Sequence, residues 1–172
     1  MMTTLNAIRE HRPCESGWTK LLSHLGKTKA DNEPLSIVTI LDSNGLDDAL
    51  WCLRAVTGHD REIRLYAVWC ARQVQHLMAD ERSLRALDVA EAHADGQATD
   101  DELTAARDAA RAAAGDAAGD AAGDAAGDAA WDAAWAAARA AAWDAAWAAA
   151  RAAQAVKLRE VCAALNQETK NG

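Results

Sequence analysis

Apolar residues recur at three- and four-residue spacing through most of the first hundred positions, and that spacing predicts helices. The clearest case is residues 60–79, where Ile63, Tyr66, Ala67, Cys70, Val74, Leu77 and Met78 share a face. Over residues 46–56, Leu46, Ala49, Leu50, Leu53 and Val56 do the same, behind Asp47 and Asp48, whose charges suit a helix N-terminus. Residues 82–95 point Leu84, Leu87, Ala90 and Ala94 inward. Nearer the start, residues 3–12 read as a short helix ended by Pro13. Ser16 is placed to cap a second, running to about Leu25 with Trp18, Leu21, Leu22 and Leu25 on one face, and Gly26 stops it. Residues 27–33 form a polar loop. The run LSIVTIL after Pro34 is β-branched enough to permit a strand, but its length and its neighbours favour helix. Ser43-Asn44-Gly45 and Thr57-Gly58 are turn signals, and Gly96 suits a left-handed C-cap. Thr99 and Glu102 then form a capping box that launches the next helix.

From 103 to 154 the pattern changes to tetrads, LTAA RDAA RAAA, then four GDAA units, then WDAA WAAA RAAA WDAA WAAA RAAQ. Alanine is the best helix former, so residues 131–154 should be helical in almost any setting. Residues 115–130 are weaker, because Gly115, Gly119, Gly123 and Gly127 each cost about 1 kcal/mol against Ala. A four-residue period advances about 40° per repeat on a helix, so Gly, Asp and Trp spiral around the axis and form no coiled-coil seam. One unbroken helix over 103–165 would be about 95 Å long at about 1.5 Å per residue. A break or hairpin in the Gly-rich part is therefore expected. Ordinary helical patterning returns at Val156, Leu158, Val161, Cys162 and Leu165. The whole chain, 1–172, reads as one all-α domain: short amphipathic helices followed by a long Ala-rich helix or helical hairpin.

Composition sharpens this picture. The chain has no Phe, one Tyr and seven Trp, so its core rests on Leu, Ile, Val, Ala and Trp. Formal net charge is −8, which argues against direct nucleic-acid binding, since that needs a basic face. No apolar leader and no run of membrane-spanning length occurs, and a cytoplasmic, membrane-free protein is expected. Cys14, Cys52, Cys70 and Cys162 match no metal spacing and read as free thiols in a reducing compartment.

Little in the chain points to catalysis. Cys52, His59, Cys70 and His76 have no recognised ligand spacing, and a Cys70 thiol–imidazole pair with His59 or His76 is no better supported. Asp47, Asp48, Asp60 and Glu62 lie where helix starts attract acids for dipole reasons alone. No phosphate loop follows a strand. No catalytic, cofactor-binding or metal-binding residue is expected. Two features of the tetrads suit a partner instead. Asp116, Asp120, Asp124, Asp128 and Asp132 form an acidic ridge, and Trp131, Trp135, Trp143 and Trp147 form two i, i+4 pairs. Simple repeat expansion explains the GDAA units as readily, and Trp ordinarily packs in a core, so only exposure would mark a binding surface.

Several blocks carry a family likeness: PCESG (13–17), SNGLDDALWCLRAV (43–56), DREIRLYAVWCARQVQHLM (60–78), ALDVAEAHADGQATDDEL (86–103) and AAQAVKLREVC (152–162). With the tetrads between them, the chain resembles the immunity proteins of bacteria and their phages, the immunity-protein-like domain family, over about residues 13–165. The resemblance implies suspected neutralisation of a toxin and supplies no catalytic motif. Its recurring residues, including Asn44-Gly45, Asp47-Asp48, Trp51, Trp69 and Arg72, suit helix ends and packing faces.

The leading expectation is a non-enzymatic, immunity-type binding protein that occludes a basic toxin or defence effector through an acidic helical surface. The alternatives are a phage-encoded inhibitor of a host defence system, a structural module that forms a homo-oligomer through Ala and Gly faces, and a small-ligand binder with a Trp-lined pocket between helices.

Overall fold

The computed structural model describes residues 1–128 and 133–171, with side-chain surroundings described for all of these except 77, 117–145, 166 and 168–171. Helices dominate, and the sole strand pairing among the described residues is two residues long. The all-α reading therefore holds. The chain divides into two compact units, Met1–Ile63 with Arg151–Gly172, and Arg64–Ala150.

In the first unit, Met2–Thr3 (β1) pairs antiparallel with Leu35–Ser36 (β2), in the register Met2 to Ser36 and Thr3 to Leu35. Thr4 then caps α1 (Leu5–Glu10) by accepting from the Ala7 N–H. The second helix, α2 (Glu15–His24), starts before Ser16, with Cys14 in the cap position and no side-chain capping bond. Pro13 disfavours helix at the residue before it but not after, so the helix begins as soon as the chain clears the ring. At its other end Gly26 adopts φ 65°, and the Lys27 N–H reaches the Leu22 carbonyl at 2.9 Å. That is the 6→1 closure that Gly permits. Lys27 then ties the polar loop by donating to Asp31 (2.5 Å) and Glu33 (2.7 Å).

The run LSIVTIL divides between the two possibilities its sequence allowed. Leu35 and Ser36 pair with β1, and Ser36 at once caps α3 (Ile37–Asn44) by accepting from the Val38 N–H at 3.2 Å. Gly45, at φ 99°, separates α3 from α4 (Leu46–Cys52), which ends in a 3₁₀ turn at Leu53–Ala55. Leu5, Ile8, Ile37, Ile40, Leu158 and Cys162 are all at most 1% exposed and form the heart of this unit. Leu158 and Cys162 come from α8 (Ala133–Asn171), whose Arg151 and Arg159 pair with Asp47 and Asp42. A buried Thr3 hydroxyl donates to the Ala55 carbonyl, 52 residues away, at 2.6 Å.

Among the described residues, the second unit has fewer buried side chains than the first. The expected helix over 60–79 is shorter: α5 covers Asp60–Arg72, and Gln75–Leu77 form a 3₁₀ turn. Its last bonds tighten from Gln73→Trp69 to Val74→Ala71, which ends the α-helical ladder. Its buried residues are Tyr66 and Val68, whereas Ala67 and Val74, expected inward, are exposed. Asp80 caps α6 (Glu81–Ala94), and α7 (Asp100–Asp128) runs back along it. Gly96 turns the chain between them at φ 72°, with the Gln97 N–H on the Ala92 carbonyl at 2.8 Å. The capping box forms both ways: Thr99 N–H donates to Glu102 (2.8 Å) and Glu102 N–H to Thr99 Oγ1 (3.2 Å). None of α6 is fully buried, and Leu103 and Ala113 are the buried residues of α7 among the described side chains.

The break expected in the Gly-rich stretch does not fall between Gly115 and Asp128. Helix α7 runs on through Gly115, Gly119, Gly123 and Gly127 to Asp128. A helix conserves its backbone bonds through Gly, so the intrinsic penalty lowers its stability without dictating a stop. Residues 129–132 lie outside the described residues.

Candidate functional site

Charge separates the two units more sharply than any single motif. Residues 64–150 carry fifteen acidic and seven basic residues, a net −8, and the rest of the chain carries eleven of each. All of the protein's formal charge thus belongs to the unit built on the α6–α7 pair. Asp88 and Asp116 have side chains 68% exposed, and Asp100 is 94% exposed. Asp101, Glu102 and Asp108 are also exposed.

Within that surface, arginines hold some of the carboxylates in place. Arg72, at the end of α5, donates to Asp88 (2.8 Å) and Glu91 (2.7 Å) on α6 and to Gln75 (2.9 Å). The Glu91 and Asp88 bonds raise its pKa above the ordinary arginine value. Arg82 is gripped by Asp80 through Nε and Nη2 and reaches Asp116 on α7 at 2.8 Å. Asp80, bonded to this guanidinium, is held below the usual carboxylate range. His93 Nε2 lies 2.8 Å from Asp100 Oδ1, while its Nδ1 is buried with no partner among the described residues.

The ridge expected from the tetrads is thus modified at its first member, because Asp116 shares its charge with Arg82 while staying open to solvent. Asp120, Asp124 and Asp128 follow it on α7, with side chains outside the described residues. Trp131 and Asp132 lie outside the described residues altogether. Trp135 and Trp143 belong to α8, their side chains likewise undescribed, and Trp147 on the same helix is 62% exposed. Core packing, the ordinary fate of Trp, does not apply to Trp147.

The four cysteines are free thiols. Burial pushes Cys52 up to about 12 and also raises Cys70 and Cys162. A thiol raised in this way stays protonated at neutral pH and is a poor nucleophile. Among the described residues no group of three or more His, Cys, Asp or Glu can hold a metal ion, and Cys52, His59, Cys70 and His76 form no such group. Nor, among them, is any helix long and apolar enough to cross a membrane.

One concave feature of the first unit was not foreseen at these positions. A cavity of about 150 Å³ lies among α1 to α4, walled by Trp18, Leu21, Ile40 and Trp51, with Asn44 and Asp48 as its polar side. Asn44 Nδ2 donates to the Gly17 carbonyl (2.8 Å) and to Asp48 Oδ2 (2.7 Å). Asn44 and Asp48, four residues apart, were readable as neighbours across a helix junction; their meeting with Gly17 was not, because it depends on how α2 crosses α3.

No family model, no curated protein and no solved structure matches this chain.

Proposed function

We propose that this chain is an immunity-type binding protein of the cytoplasm, which neutralises a basic toxin or effector by covering its working surface and has no catalysis of its own. The observation that carries the reading is the segregation of charge: residues 64–150 hold the entire net −8, and the remainder of the chain is neutral. A surface of one sign steers an oppositely charged partner, raising its association rate and suppressing wrong partners. The carboxylates Asp88, Glu91 and Asp116 are each held by an arginine at 2.7–2.8 Å, which favours preorganisation of the surface. Exposed Trp147 supplies an aromatic anchor of the type that dominates binding energy at interfaces.

The test is co-purification with the tagged chain from its native host, followed by reconstitution with the purified partner. The expected outcome is one stoichiometric basic protein whose harmful activity is abolished by the complex. Its association rate should fall at least about tenfold when Asp100, Asp101, Asp108 and Asp116 are all changed to Asn. A partner whose binding ignores both that variant and added salt would sink the acidic-surface reading.

A further inference from the structure

We propose that the cavity of the first unit is a binding site for a small primary ammonium compound with an apolar body, with Asp48 as its charge partner. The argument begins with the wall. Trp18, Trp51, Leu21 and Ile40 make it apolar, and Asp48 is its one charged side chain. Cys52 also lines it, and its thiol, raised by burial, is neutral at physiological pH. A volume of about 150 Å³ is the size that admits a single six-membered ring.

Asp48 is positioned but not neutralised. It has no ion pair among the described residues, whereas its neighbour Asp47 is matched with Arg151 at 2.6 Å. Lys20 donates to the Asn44 backbone carbonyl at 3.3 Å and forms no ion pair with Asp48 among the described residues. Asn44 must present its NH₂ group here, because both of its neighbours, the Gly17 carbonyl and Asp48 Oδ2, are acceptors. That pair of bonds pins Oδ2 and leaves Oδ1 without a hydrogen bond among the described residues. A free carboxylate oxygen beside two indoles wants an N–H donor that carries positive charge, and indole faces attract cations as well.

Helix dipole alone accounts for an acid in the first turn of α4. It does not account for the room made for this one. A Cβ added to Gly17 would lie 2.8 Å from Asp48 Oδ2 and 3.2 Å from Cys14 Sγ, so the bare glycine is what lets α2 close over the carboxylate. Trp51 is held from outside the cavity by Arg54, which lies 4.3 Å from its ring centroid and donates to its carbonyl at 2.8 Å. The site is thus built from four helices and braced on two sides. It lies wholly within the first unit and stands independently of the protein-partner reading.

The experiment is a titration of the full chain at neutral pH followed by NMR of the Trp18 and Trp51 indole N–H signals. The probes are benzylamine, benzyl alcohol and benzoate, which share a ring and differ in charge. Benzylamine should shift both signals saturably, at least about tenfold more tightly than benzyl alcohol, and benzoate should not bind. Asp48→Asn should bring the amine and the alcohol within about twofold of each other, while Asp47→Asn leaves the preference intact. Trp18→Leu, which keeps the carboxylate, should weaken both ligands, the amine somewhat more because it also loses an indole face, and should leave the amine preferred. No saturable shift with benzylamine, or equal binding of amine and alcohol to the unaltered chain, overturns the proposal. So does a preference that survives Asp48→Asn.

Discussion

The two units of this protein are stabilised by different physics. The first, residues 1–63 with 151–172, contains sixteen of the twenty buried apolar residues found among the described ones, and the second contains Tyr66, Val68, Leu103 and Ala113. The first is electrically neutral and the second holds −8. Burial of apolar side chains at about 25 cal/mol per Å² is the main source of stability in the first. In the second, Ala propensity, two well-formed helix junctions and arginine-centred networks, each in increments of about 1 kcal/mol or less, contribute beside the buried Tyr66, Val68, Leu103 and Ala113. One unit is a small conventional core, and the other is a helical support for exposed carboxylates. The contrast shows how a chain can keep a strongly charged surface: it concentrates the charge in one unit and leaves the other neutral.

The largest expected effect tests the core of the first unit. Leu158 is fully buried, so Leu158→Ala should destabilise it by about 2–5 kcal/mol in urea unfolding followed by residue-resolved hydrogen exchange. Leu103→Ala, in the second unit, where fewer of the described residues are buried, should fall at or below the low end of that range. Equal losses at the two positions would break the comparison.

Next comes the network at the end of α5. Arg72→Ala removes bonds to Asp88, Glu91 and Gln75 and leaves two acids of α6 facing each other without their cation. A loss of about 1 kcal/mol is expected at low salt, shrinking as salt screens the partly exposed pairs. A loss that did not change with salt would place the role of Arg72 in packing of its stem instead. In the opposite direction, Gly115→Ala should stabilise α7 by up to about 1 kcal/mol, because nothing lies within 4 Å of the added methyl. Lowered helix content in circular dichroism would show that Gly115 has a role beyond the helix.

These contrasts were only partly legible in the sequence. Helix type, the Gly26, Gly45 and Gly96 stops and the Thr99–Glu102 box were readable because each depends on residues a few positions apart. The face of α5 was misjudged by one position, since Val68 and not Ala67 is buried, and periodicity alone cannot choose between adjacent residues on a helix rim. The start of α2 was set by Pro13 and not by the more obvious Ser16. Of the acidic ridge, the sequence supplied Asp116 but not its pairing with Arg82, 34 positions earlier, which depends on α6 lying against α7. The Asp48 cavity was hidden for the same reason: Gly17, Asn44 and Trp51 meet only through tertiary packing.

The smallest effect bears on how the second unit responds to acid. Glu102 is held below the usual carboxylate range, first by the Thr99 backbone N–H and then by its hydroxyl. A carboxylate depressed in the folded state contributes stability at pH values above its unfolded pKa, and that contribution fades as pH falls through the lower folded value. The window therefore opens near pH 5 and closes on the acid side of the ordinary glutamate range. Glu102→Gln keeps the capping geometry but removes the charge. It should lower the thermal midpoint slightly at pH 7 and make no difference well below the window, so the two unfolding curves converge on acidification. Curves that stayed parallel at every pH would mean that the capping bond matters and the charge does not.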